Sequence, residues 1–135
     1  MTTTLTTAII CTAILAAMLF FLGFNVSRMR GVTAKAGGSQ FPDDPASRLL
    51  IAIRAHGNAA EYIPVLLVLF LLVGARSPGA VAIPLITGAT AARIAHAYGM
   101  LTAPSMAVTT KARLAGAAGT YLLGLGLAVA AAFSL

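Results

Sequence analysis

Residues Arg54–Pro64 read RAHGNAAEYIP, and the chain then runs directly into Val65–Ala75, VLLVLFLLVGA. The first stretch carries an arginine, a histidine, an asparagine and a glutamate; the second carries nothing that ionises. With the apolar residues from Leu49 onward, the whole segment is long enough for a helix to cross a hydrocarbon layer of about 30 Å. A helix entering lipid through charged residues needs those charges to face protein or water, since burying one in hydrocarbon costs at least ~2.5 kcal/mol.

The rest of the chain supports a membrane reading. Of its 135 residues 59% are apolar and only 9% are charged, far below the roughly one quarter of charged residues in soluble domains. Four apolar segments are expected to span, at about residues 4–26, 49–75, 79–101 and 114–135. No short alternating segments of the kind that build membrane barrels occur. The first segment has no basic residue before it and is followed by Arg28 and Arg30, so it reads as a retained span rather than a secretion signal, although Ala34-Lys35-Ala36 has a small-x-small look. The expected fold is therefore an all-α integral membrane protein, a bundle of four transmembrane helices forming one domain over residues 1–135.

Charge gives the orientation. The net charge is +6, and no nucleic-acid motif or basic helix with interleaved aromatics accompanies it. The loops over 27–47 and 102–111, with their adjoining helix ends, hold Arg28, Arg30, Lys35, Arg48, Lys111 and Arg113, whereas the opposite side holds Arg76. The positive-inside rule puts both loops in the cytoplasm and both termini outside. Gly74–Gly79, GARSPG, is a tight connection making the second and third spans an antiparallel hairpin. Asp44 or Ser47 is a candidate cap for the second span. The small-residue tract Ala115–Gly119 permits close helix contact, either within the bundle or between copies of it. Cys11, the single cysteine, excludes a disulfide within the chain and reads as buried filler.

On a helix turning about 100° per residue, Arg54, Asn58, Glu61 and Tyr62 fall at about 0°, 40°, −20° and 80°, one face, while His56 falls near 200°, off it. On the third span Arg93, His96, Ala97 and Met100 share another face, at a depth matching Glu61. Glu61 is expected to pair with Arg93, or to hydrogen-bond His96. Arg54 lies roughly 10 Å shallower than Glu61, and Arg113 enters from the same side. The sum is a net-positive pocket opening toward the cytoplasm, suited to a ligand bearing several carboxylates. Blander readings stand beside it: Arg54 and Arg113 as snorkelling anchors, Glu61 and Arg93 as a structural pair fixing register, His96 as a packing residue, Tyr62 and Tyr98 as interfacial aromatics. His56 and His96 lack the carboxylate or cysteine neighbours of a metal site.

The motif RxHxNxxEYxP at Arg54–Pro64, followed in order by ARIAHAYG at Ala92–Gly99 and RLAGAAGTY at Arg113–Tyr121, resembles the MAPEG family, the membrane-associated proteins of eicosanoid and glutathione metabolism, in its bacterial branch. The resemblance implies a homotrimer of four-helix protomers in an inner membrane, with sites between protomers at the cytoplasmic face. It also implies glutathione as cosubstrate, held by Arg54, Asn58, Glu61, Tyr62 and Arg93, with His96 nearby, and an arginine near the start of the fourth span, Arg113, activating the thiol. A free thiol has a pKa of about 8.5, and an adjacent cation favours the nucleophilic thiolate. His96 and Met100 stand where several eicosanoid-forming relatives have tyrosine, which turns the expectation toward a glutathione transferase or peroxidase acting on lipophilic electrophiles or lipid hydroperoxides that arrive from the bilayer. Two alternatives differ in kind: a non-catalytic binder of lipids or lipophiles with the same fold, and a small four-helix cation exporter, disfavoured because arginines surround the intramembrane glutamate.

Overall fold

The computed structural model describes residues 2–134 and contains four helices, with no strand among the described residues. The helices are α1 (Thr3–Lys35), α2 (Arg48–Arg76), α3 (Gly79–Leu101) and α4 (Lys111–Ala132), each long and apolar enough to cross a membrane. Leu135, the expected end of the fourth span, lies outside the described residues.

Side-chain caps start three of them. Thr2 accepts from the Leu5 amide, Ser47 from Leu50 and Thr110 from Arg113, each satisfying an amide that the first helical turn leaves without a partner. At α2 the cap is Ser47; Asp44 bonds the Ala46 amide and shapes the turn before it. The first helix continues well past Val26, through residues expected in a loop. Nothing in SRMRGVTAK forbids a helix, and a span ends where hydrocarbon ends, whereas a helix ends where its backbone is broken. Here the break comes at Ala36 and at Gly37, which adopts φ 69°, a left-handed conformation that glycine takes at little cost. At 33 residues α1 is about 50 Å long and outruns the bilayer core.

Helices α2 and α3 form the hairpin through Ser77 and Pro78 and occupy the middle of the bundle; α1 packs on both of them, α4 packs on both of them, and α1 does not touch α4. Residues at helical spacing supply the seam: Ala8, Cys11 and Leu15 from α1, Ala59, Ile63, Leu66 and Phe70 from α2, and Ala82, Ile86 and Ala89 from α3. Cys11 is buried and free in that seam. Outward-facing Phe20, Phe21, Leu122 and Leu125 are each more than two-thirds exposed, the inverse of a soluble surface and the expected dress of a bundle solvated by lipid. Pro64 sits inside α2 and Pro84 inside α3, so each helix lacks one backbone donor.

The glycines of α4 serve packing within the bundle. A Cβ on Gly116 would strike the backbone of Ala92 and His96, and one on Gly99 the backbone of Arg113. Helices α3 and α4 thus meet backbone to backbone near the end of the bundle that carries the two longer loops. The loops are joined as well: the Met106 amide donates to the Pro45 carbonyl at 2.8 Å.

Candidate functional site

The close approach of α3 and α4 assembles a polar crevice. His96 of α3 lies against α4, and its Nδ1 donates to the Arg113 carbonyl at 3.0 Å, since a carbonyl can only accept. That bond fixes the proton on Nδ1. Thr110 closes the corner: its hydroxyl donates to the Gly99 carbonyl at 2.9 Å while accepting the Arg113 amide at 3.2 Å. The Arg113 guanidinium, half-buried, reaches back to the Met106 carbonyl at 3.3 Å. One arginine is therefore held at its backbone and at its head by the turn that precedes its helix.

Opposite stand the α2 residues. Arg54, Asn58 and Glu61, together with Gly57 and Ile53, line a cavity of about 180 Å³ completed by His96, Met100 and Arg113. Five of the seven residues expected at a site thus surround one space. Arg54 and Glu61 are exposed at its mouth. The remaining two, Tyr62 and Arg93, do not line it.

Arg93 is the largest fully buried side chain of the described chain, at 1% exposure. Its Nη2 donates to Asn58 Oδ1 at 2.8 Å, and its guanidinium carbon lies 5.3 Å from the centre of the Tyr62 ring, a cation–π distance. The expected pairing of Arg93 with Glu61 is not formed, nor is the alternative bond from Glu61 to His96, whose Nδ1 is taken by Arg113. The reason is rotational. Asn58 and Tyr62 are four residues apart and stack on one ridge of α2, and it is this ridge that turns toward α3. Glu61 lies on the flank of that ridge and opens to the crevice instead. A charge deep in the bundle is tolerated by a neutral amide and an aromatic face, and the lone carboxylate is left at the surface of the cavity, outside these bonds.

Beyond Glu61 the crevice gives way to a second, larger space. A groove of about 540 Å³ runs between α2 and α4, with Glu61, Tyr62, Thr120 and Tyr121 at its polar end and Val65, Leu69 and Leu125 along its walls. Glu61 lines both spaces. Tyr121 joins this end of the groove beyond the residues expected from the sequence; its hydroxyl sits 3.4 Å from that of Tyr62, a weak contact, with ring centres 5.7 Å apart. It closes the motif that begins at Arg113, two turns further along α4, and that spacing was the available signal. His56 is elsewhere, packed on α1 beside Gly23, as its angle on the helix required.

Compared with known proteins, the chain matches the family model described as MAPEG family over residues 8–133. No curated protein and no solved structure matches it.

Proposed function

The chain belongs to the MAPEG family, whose members include glutathione transferases and peroxidases, and from that premise we propose that it is a membrane-embedded glutathione transferase or peroxidase acting on lipophilic substrates. The observation that carries the reading is Glu61, an unengaged carboxylate at the seam between an arginine-bearing crevice and an apolar groove. Glutathione carries two carboxylates and one ammonium. Arg54 suits a carboxylate and Glu61 suits the ammonium, each through a charge-assisted bond stronger than a neutral one, which leaves Arg113 free for the sulfur. Asn58 presents its amide to the peptide while Arg93 holds that amide in place. Tyr62 faces the groove through which an apolar molecule would come.

Chemistry in this reading needs a cation at the sulfur. Arg113 stabilises the thiolate, the proton going to water. The thiolate attacks an electrophilic carbon, forming the C–S bond as the leaving group departs with its electron pair. With a lipid hydroperoxide it attacks the terminal oxygen instead, releasing the lipid alcohol and leaving a glutathione sulfenic acid; a second glutathione then gives the disulfide and water.

The crevice of about 180 Å³ is smaller than the roughly 300–1,000 Å³ typical of small-molecule pockets. This favours a site completed by a second copy of the chain, in keeping with a homotrimer of single-domain protomers. The loop end would face the cytoplasm on the positive-inside rule, in a bacterial inner membrane.

Isothermal titration of the detergent-purified protein with glutathione tests binding. Saturable binding is expected, with Arg54→Ala and Glu61→Ala each weakening it by about tenfold, the equivalent of one charge-assisted bond. The ultraviolet absorbance of bound thiolate tests activation: it should appear with the wild type and vanish in Arg113→Ala. A non-catalytic lipophile binder is the second reading, favoured by the groove being larger than the crevice; it predicts glutathione binding without thiolate, or none at all.

A further inference from the structure

A second basic crevice lies on the other side of the bundle, independent of the site above. Arg28 of α1 and Arg48 of α2 line a space of about 450 Å³ at the loop end, walled by Phe21, Leu22, Ile51 and Leu101. Each arginine is tethered by one donor: Arg28 Nη2 to Asn25 Oδ1 at 3.1 Å, Arg48 Nη1 to the Ala103 carbonyl at 3.4 Å. A guanidinium carries five N–H donors in a rigid fork, so each has others left over. No carboxylate lines the space. Phe21, Leu22 and Leu101 also wall a neighbouring groove of about 390 Å³ between α1 and α3, which continues along Ala17, Met18, Ile94 and Ala97 and is almost wholly apolar.

The two spaces together have the shape and polarity of one molecule. From Arg28 to Ala17 the groove descends eleven residues of α1, about 16 Å at the helical rise, which matches one leaflet of a hydrocarbon core about 30 Å thick. Basic pockets between helices at a membrane surface suit anionic headgroups, and arginine meets phosphate through paired N–H bonds. Freely snorkelling arginines would reach the headgroup layer without a shared target; these two line one crevice, which shares three wall residues with an acyl-sized groove. A zwitterionic lipid would bring an ammonium with no acid to receive it.

We propose that the α1–α2–α3 crevice binds one anionic phospholipid per chain, its phosphate between Arg28 and Arg48 and an acyl chain in the α1–α3 groove. Native mass spectrometry of the full chain in neutral detergent, titrated with palmitoyl-oleoyl phosphatidylglycerol or the matching phosphatidylcholine, tests it. One phosphatidylglycerol per chain should bind, about tenfold tighter than phosphatidylcholine, as expected for two cations near a phosphate. Arg28→Gln with Arg48→Gln should abolish the preference, while Arg30→Gln with Lys35→Gln, an equal loss of charge on exposed residues outside the crevice, should keep it. Ala17→Trp, which fills the groove and leaves both arginines in place, should weaken phosphatidylglycerol several-fold. Equal loss in the two double variants, equal binding of the two lipids, indifference to Ala17→Trp, or displacement of the lipid by millimolar inorganic phosphate would each overturn the proposal.

Discussion

Two crevices open at the same end of one small bundle, each with two arginines on its wall, and the charged residues on those walls differ by one acid. The α2–α3–α4 crevice holds Glu61 beside Arg54 and Arg113; the α1–α2–α3 crevice holds Arg28 and Arg48 and no acid. A lone carboxylate changes the class of guest, from a simple anion to one with a positive group as well. The walls differ in the same sense. Helices α3 and α4 meet backbone to backbone and leave a small polar space beside them, whereas α1 and α3, though packed together, leave an apolar groove along their contact with room for a hydrocarbon chain.

The sharpest way to separate the two is to wedge one of them open. Gly116→Ala places a methyl against the backbone of α3, where nothing flexible can yield, and overpacking of that kind costs roughly 1–3 kcal/mol. Denaturant titration should read that loss, with glutathione affinity falling in parallel and phosphatidylglycerol binding unaffected. A smaller change makes the second crevice resemble the first. Asn25→Asp sets a carboxylate against Arg28, at the position whose oxygen already accepts from it at 3.1 Å, and phosphatidylglycerol should bind several-fold more weakly in the same mass-spectrometric titration as the new acid competes for the cation. The smallest effect is expected at the polar end of the α2–α4 groove. Tyr121→Phe removes one long hydroxyl contact with Tyr62, whose length puts it at the low end of a hydrogen bond's worth, about 0.5 kcal/mol, so KM for a lipophilic substrate should shift about twofold while the glutathione Kd holds.

The four helices and the ridge from Arg54 to Tyr62 were legible in the sequence because they depend on period and hydropathy alone. Partner choice was not. Asn58 and Glu61 differ by about 60° around α2, and no pattern within one helix says which flank its neighbour will occupy; only the α2–α3 packing turned Asn58 toward Arg93 and left Glu61 aside. The Ala115–Gly119 tract likewise announced close contact without its partner, and the backbone of α3 supplied the answer. Arg28 and Arg48 read as orientation charges in one dimension, since the groove beneath them is made by three helices. The length of α1 escaped because hydropathy marks where lipid stops, and Gly37 marks where the helix does.

Pro64 carries a last consequence. It has no N–H, so the Ala60 carbonyl loses its usual donor within α2, one residue before Glu61. A hydrocarbon solvent cannot supply a replacement. That turn of the helix therefore has a spare backbone acceptor, placed beside the carboxylate that both spaces share.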